Sequence, residues 1–287
     1  MSFVKRITGL VDDWIGQQVD PDGRLRQLQT PTNEFGFDAF GFHADYVRRA
    51  LLPMKWVYRS YFRVQCFGIE KVPATGRLFL IANHSGQLPL DGGMILLSMI
   101  FDKEPPRIVR TMVEKWVASI PFVSYVFARW GQIIGIPDNC RELLDEDEAI
   151  LVFPEGVRGI SKTYDQAYQL QDFGLGFMRL ALEKGVPIVP VGVVGAEEQL
   201  PALANLKKLG ALIGAPAFPV TPTFPLLGPV GLLPLPVRYR IYYGEPMTFT
   251  GDPNDEDEVI EEKVNAVKDA IQALLRRGLS EREHVFW

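Results

Sequence analysis

Histidine is scarce in this chain. Among 287 residues there are three, at positions 43, 84 and 284, and only two cysteines, at 66 and 140. Two cysteines without metal-like spacing exclude a thiolate zinc centre and a disulfide framework, and they suit a reducing compartment. Positive charge is not in excess either. Thirty-five acidic against 30 basic residues give a net charge of −5, which lacks the basic footprint of a nucleic-acid binder. Long hydrophobic runs are missing as well: Met94–Phe101 falls far short of the roughly 18–20 apolar residues that cross a bilayer. The longer apolar stretch, residues 210–236, is broken by prolines at 216, 219, 222, 225, 229, 234 and 236, so no helix could cross a membrane there. Met1-Ser2-Phe3-Val4-Lys5-Arg6, leading into Asp12-Asp13, shows no cleavable signal. The expectation is a protein that is soluble or peripheral on the cytoplasmic side of a membrane.

What the chain does have is an alternation of short apolar runs with helical patterns. Strands are expected at Arg77–Ala82, Arg107–Val113, Gly131–Ile136, Ala149–Phe153, Val186–Val194 and Arg238–Tyr243. Most are continuously apolar, as in parallel strands buried on both faces. Helices are expected at Asp91–Ile100, Glu114–Trp130, Asn139–Asp145, Leu175–Lys184 and Asp255–Arg277, the last with Gly278 as its stop. The alternation predicts an α/β fold, a single layer sandwich with a mainly parallel central sheet flanked by helices. It divides the chain into an N-terminal helical segment (1–73), an α/β domain (74–250) and a C-terminal amphipathic helix packed on that domain (251–287).

Two segments invite a membrane. If 47–64 is helical, Arg48, Lys55, Arg59 and Arg63 share one arc opposite Val47, Leu51, Met54, Val57, Tyr58 and Tyr61, with Pro53 as a kink or start. Basic residues beside aromatics suit an anionic membrane surface; a helix packed on the domain with a solvated charged face is the other reading. The proline-rich segment carries Phe218, Phe224, Leu226, Leu227, Leu232, Leu233 and Leu235. It either folds over the core or forms a patch that needs a partner, and a lipid-facing role is preferred.

Chemistry points to His84. It follows the apolar run Leu78–Asn83, where a strand emerges into a loop and a rigid scaffold can hold a titratable ring. Asp91 follows seven residues later, placed either to fix the imidazole tautomer or to cap the next helix. Further on, Phe153-Pro154-Glu155-Gly156-Val157-Arg158-Gly159 brings an acid, a flexible glycine and a cation to another strand end. Ligands of open α/β sheets bind at such ends. Ser85 beside His84 could suggest a hydrolase, but adjacent side chains rarely meet productively and no Gly-x-Ser-x-Gly elbow occurs.

The three blocks Asn83-His84, Phe153-Pro154-Glu155-Gly156 with Arg158, and Val186-Pro187-Ile188-Val189-Pro190-Val191 occur in one order over about residues 74–245. In this the chain resembles the glycerolipid acyltransferase superfamily, which includes the bacterial lysophosphatidic acid acyltransferases. The resemblance implies O-acyl transfer from acyl-CoA or acyl carrier protein to a lipid hydroxyl, with no metal or other cofactor. His84 would be the general base and Asp91 its partner, on the logic of a Ser-His-Asp triad with the substrate hydroxyl in place of serine. Glu155, Gly156 and Arg158 would shape the acceptor pocket, and backbone N–H groups near Ser85 and Gly86 would face an oxyanion.

Departures from the family pattern matter. The aspartate usually comes five residues after the histidine, and here Pro89 holds that place. Asp138 stands where an acceptor-binding arginine is usual, and a lysine common near Phe173-Gly174-Leu175-Gly176 is missing, with Lys115 and Arg141 as possible substitutes. Leu233-Pro234-Leu235-Pro236 and Tyr243-Gly244-Glu245-Pro246 resemble the branch related to diacylglycerol and fatty-alcohol acyltransferases. Lysophosphatidic acid is the acceptor the family implies by default, a neutral acceptor the first alternative, and a non-catalytic lipid-binding protein the second.

Overall fold

The structure, a computed structural model, describes residues 32–119, 122–212 and 218–287. The strands among these are β1 (Gln65–Phe67), β2 (Leu78–Ala82), β3 (Val109–Val113), β4 (Ile133–Ile134), β5 (Ala149–Val152), β6 (Ile188–Val194), β7 (Ala204–Asn205), β8 (Pro219–Val220) and β9 (Arg240–Tyr243). Seven of them form one sheet in the order β1-β9-β6-β2-β5-β3-β4, while β7 and β8 pair with each other. From β6 to β4 every pairing is parallel; β9 runs antiparallel to β6, and β1 is parallel to β9. The expected α/β class holds, with a mixed edge supplied by residues far apart in the chain.

Period-two alternation explains why β2 reads as one unbroken apolar run. Leu78, Leu80 and Ala82 enter one core cluster, where Ile95, Leu97 and Met99 pack. Phe79 and Ile81 enter the other, against Met178, Ile260, Val264 and Ile271. Both faces are covered, so every position of β2 is apolar and buried. Fully burying one such side chain contributes about 1.5–3 kcal/mol.

The helices are α1 (Ala44–Trp56), α2 (Leu90–Phe101), α3 (Val123–Arg129), α4 (Pro137–Asp145), α5 (Val157–Ile160), α6 (Gly176–Lys184), α7 (Lys207–Leu212) and α8 (Asp257–Ser280). Three expectations need correction. The helix read over 114–130 is a 3₁₀ turn at Lys115–Ser119 and then α3, on either side of Pro121, which has no N–H for a helical bond. Gly278 does not stop α8. It lies inside the helix, where an added Cβ would stand 2.7 Å from Tyr242 Cε2 and 2.8 Å from Val194 Cγ2. The glycine is there for close approach to the sheet.

The third correction concerns the basic arc. α1 runs through Pro53 and gives way at Val57–Tyr61 to a π turn. His43 caps it, its Nδ1 accepting from the Tyr46 N–H at 3.3 Å. Arg48 pairs with Asp45, and Arg59 with Asp102. Arg63 donates to the carbonyls of Tyr61, Pro236 and Phe286. Arg59 and Arg63 thus tie α1's continuation to other segments of the fold, while Arg48 pairs within its own helix. Residues 1–31, which carry the leader reading and much of the 1–73 segment, lie outside the described residues. Among the described residues no helix is long and apolar enough to cross a membrane.

Candidate active site

The C-terminal ends of β2, β5, β3 and β6 share one sheet edge because those strands are parallel neighbours. His84 lies two residues beyond β2, Glu155 three beyond β5 and Lys115 two beyond β3. Asn83 sets the exit of β2. Its side-chain amide donates to the Val193 carbonyl at 3.1 Å and its oxygen accepts the Val193 N–H at 2.8 Å, continuing the β2–β6 pairing after the strand ends.

His84 Nδ1 and Asp91 Oδ2 are 2.7 Å apart. The extra residues before Asp91 are taken up by a tight loop in which Gly86 adopts φ +87° and Gln87 φ +57°. Gly86 has no substitute here, since a Cβ would stand 2.3 Å from the Ala196 carbonyl oxygen. Gln87 is held in its unusual conformation by its side chain, which donates to the Lys162 carbonyl at 2.6 Å and accepts from Asn205 at 3.2 Å. Gln199 adds two donations, to the carbonyls of Gly86 and Leu88.

Asp91 is fully buried in the first turn of α2, two residues beyond Pro89, which holds the cap position. Its Oδ1 accepts the Gly92 N–H at 2.8 Å, and its Oδ2 also accepts the Ser85 N–H at 2.9 Å. That last bond removes the Ser85 amide from the expected set of oxyanion donors. The imidazole stacks on Phe153, ring centroids 4.1 Å apart at 21°. Its side chain keeps 11% of its accessibility. With Nδ1 committed to Asp91, Nε2 is the nitrogen left for a substrate proton.

Glu155 does something the sequence did not suggest. Its Oε1 accepts the His84 backbone N–H at 2.8 Å and its Oε2 accepts the Gln171 N–H at 2.8 Å. The carboxylate expected to line the acceptor pocket is buried and braces the histidine loop. Gly159 completes the brace: a Cβ on it would meet the Cβ and carbonyl oxygen of His84 at 2.8 Å each. Gly156, also expected at the pocket, turns the chain from β5 into α5 with φ +55°.

Behind Glu155 lies a buried ion cluster that sequence reading missed. Lys162 Nζ is 3.7 Å from Glu155 Oε2 and 2.9 Å from Glu197 Oε1, with all three side chains at most 5% exposed. Burial pushes the Glu197 carboxyl above the usual range, and Lys162 pulls it back. Next to it, Glu198 accepts from Tyr168 and Arg282. The available signal was Glu197-Glu198, separated by only Gly195 and Ala196 from a seven-residue apolar strand, where solvated acids are out of place.

The cations expected near the acceptor are mostly engaged. Arg141 pairs with Glu183 and Asp138, both 2.9 Å away. Arg158 donates to the Asp172 carbonyl at 2.8 Å, with the Asp172 carboxylate at 3.8 Å. Lys115 is exposed just beyond β3. Among the described residues no group of acids, histidines and cysteines is placed to hold a metal ion.

A histidine–aspartate pair thus stands on the carboxyl edge of this sheet, held by the Phe-Pro-Glu-Gly block, and comparison with known proteins gives the family. The chain belongs to the acyltransferase family, whose profile matches residues 63–194. It is 37% identical to an uncharacterised protein of Mycobacterium leprae over 99% of this chain and 81% of that one, and 36% identical to one of Mycobacterium tuberculosis over 92% and 75%. It is 28% identical to the bovine DGAT1/2-independent enzyme synthesizing storage lipids, over 72% of this chain and 58% of that protein. Its fold is that of the crystal structure of the 1-acyl-sn-glycerophosphate acyltransferase PlsC from Thermotoga maritima, with a TM-score of 0.52 at 16% identity, covering 97% of this chain and 99% of that one.

Proposed function

We propose that this acyltransferase moves a fatty acyl group from an acyl thioester, acyl-CoA or acyl carrier protein, to the hydroxyl of a neutral glycerolipid such as mono- or diacylglycerol. The observation that carries the reading is the 2.7 Å contact of His84 Nδ1 with buried Asp91. In the proposed step, His84 Nε2 takes the hydroxyl proton as the alcohol oxygen bonds to the thioester carbonyl carbon. Collapse of the tetrahedral intermediate breaks the carbon–sulfur bond, and the imidazolium returns the proton to the departing thiolate. Asp91 stabilises the imidazolium and holds its tautomer. Neither a covalent enzyme intermediate nor a metal is required by this sequence of bonds.

The neutral acceptor is favoured by the state of the cations. Arg141 is neutralised by Asp138 and Glu183, and Arg158 faces Asp172. A phosphate head group is bound best by unpaired arginines in a bidentate fork. The printed name of the bovine relative, an enzyme synthesizing storage lipids, points the same way. Lysophosphatidic acid is the competing acceptor, and Lys115 is the cation that would serve it.

Purified protein given labelled acyl-CoA and a panel of monoacylglycerol, diacylglycerol, long-chain alcohol and lysophosphatidic acid should esterify the neutral glycerides fastest. His84→Ala should lower the rate by about 10²–10⁴-fold. Preferential esterification of lysophosphatidic acid would reverse the acceptor assignment. Equal product from wild type and His84→Ala would remove His84 as the base.

A further inference from the structure

We propose that the proline-rich part of the excursion between β6 and β9, residues 218–237, is the surface by which the protein docks on a lipid bilayer. It would seat Leu226, Leu227, Val230 and Leu233, together with Trp56 of α1, among the lipid head groups and upper acyl chains. The reading builds on acyl transfer to a lipid only in choosing a bilayer over another partner.

Exposure is the first observation. Leu226 is 84% exposed, Leu227 60%, Val230 63%, Leu233 65% and Trp56 59%. Isolated apolar residues at a surface are ordinary, but a contiguous run of them is not. Trp56 adjoins the run, since its ring lies 5.8 Å from that of Tyr61, whose hydroxyl donates to the Pro234 carbonyl at 2.6 Å.

Order is the second. An apolar loop free to move would collapse its leucines onto itself, and this one is pinned open from within. Thr221 Oγ1 accepts the N–H groups of Thr223 and Phe224, Thr223 Oγ1 donates to the Gly231 carbonyl at 2.8 Å, and Phe218 packs on Phe224 with centroids 4.9 Å apart. Gly228–Leu232 forms a 3₁₀ turn between the exposed residues.

Charge is the third, and it names the occupant. The chain as a whole is acidic, yet residues 199–237 hold no aspartate or glutamate and two lysines, Lys207 and Lys208. A face without carboxylates is not repelled by lipid phosphates, and its apolar side chains can partition below them. The patch is also joined to the catalytic loop. The Leu235 N–H donates to the Gln199 carbonyl at 2.6 Å, and the Gln199 side chain holds the carbonyls of Gly86 and Leu88. Docking by this face would bring a lipid surface beside the loop that carries His84. The basic residues that follow α1 are less suited to this role, because Arg59 is paired with Asp102 and Arg63 is bound to the carbonyls of Tyr61 and Phe286.

Vesicle flotation tests this without reading any acyl transfer. The full chain should float with plain phosphatidylcholine vesicles as well as with phosphatidylserine-doped ones. Binding should persist at about 1 M salt, where the Debye length is about 3 Å. Leu226→Ser/Leu227→Ser should partition ~100-fold or more weakly, each lost leucine being worth on the order of tenfold. Val230→Ser/Leu233→Ser should weaken partition in the same direction, and both double variants should keep the wild-type melting temperature because the side chains are exposed. Flotation of the variants like wild type, a wild type that stays in the aqueous fraction, or binding abolished by salt would overturn the proposal. So would a wild-type dimer in sedimentation equilibrium that the double variant converts to monomer, since a second copy would then be the occupant. Loss of flotation with unchanged turnover of short-chain, water-soluble substrates would separate docking from catalysis.

Discussion

At the scale of single residues, Asp91 carries two duties that a neutral amide cannot both perform. It accepts the Ser85 N–H and faces His84 Nδ1 through the same oxygen. Asp91→Asn keeps the size and removes the charge that would stabilise an imidazolium. The expected result is a fall in kcat of about 10²–10⁴-fold with KM little changed, measured in the same acceptor assay. Full activity in this variant would break the dyad while leaving His84 in place. Lys162 supports the site from behind and is the second residue to test. Replacing it with Met leaves Glu155 and Glu197 as buried carboxylates without a counter-charge, which should cost about 3–5 kcal/mol in denaturant unfolding. Adding Glu197→Gln should recover part of that loss, because one buried carboxylate then disappears. A fully stable Lys162→Met protein would show that the cluster contributes little. His84 and the Glu155 block were legible in the sequence because residue type, order and strand-end placement coincide. The brace was not, since Glu155 and Lys162 carry the same letters whether they meet a substrate or a backbone N–H.

At the scale of elements, the buried strands were readable and the ends of helices were not. β2 and β6 are uniformly apolar because both faces are covered, so their existence follows from composition. β1, three residues long with Gln65 exposed, carries no such signal and exists because Tyr239 and the β9 edge offer it hydrogen bonds. Gly278 shows the same limit from the other side. Local preference makes a glycine near a helix end a stop, whereas packing against Tyr242 and Val194 makes it a contact. The two views differ in sign for one substitution. Helix propensity alone has Gly278→Ala stabilising by up to about 1 kcal/mol. The clash at 2.7–2.8 Å should outweigh this and give a net loss of about 1–3 kcal/mol. Urea denaturation decides, and a stabilised variant would mean that Tyr242 moves aside at little cost.

At the scale of the whole molecule, burial of phenols and thiols sets how the protein meets alkali. Burial pushes Tyr58, Tyr168, Tyr239 and Tyr243 above the usual phenol range. It pushes the Cys66 thiol up to about 12 and Cys140 up to about 11. Each group keeps its proton longer when folded than when unfolded. Their stabilising contribution is therefore fully present below the ordinary thiol and phenol values and is lost as pH climbs through them toward the folded ones. Every such group steepens the decline by up to about 1.4 kcal/mol per pH unit. Melting temperature should hold up to about pH 8.5, near the ordinary thiol value, and then fall steeply. Tyr125 and Tyr164 are exposed, so the test lies in the share of tyrosinate absorbance that belongs to the four buried phenols. That share should appear as a step that coincides with unfolding, and full tyrosinate absorbance in still-folded protein would contradict the burial.

The position of β9 has a bearing on how the chain is made. Gln65 pairs with Arg240, and the strand beside β9, β6, ends at Val194. A ribosome that has released everything through β6 has produced the histidine pair, its brace and most of the sheet, yet leaves β1 without a neighbour. The Tyr61 hydroxyl, Nη2 of Arg63 and the Gln65 N–H all find their partners in residues 234–286. Closing of the sheet at β1 therefore waits for β9. A nascent chain stalled before Arg238 should stay sensitive to protease across residues 57–67, and would become resistant there only after β9 and α8 emerge.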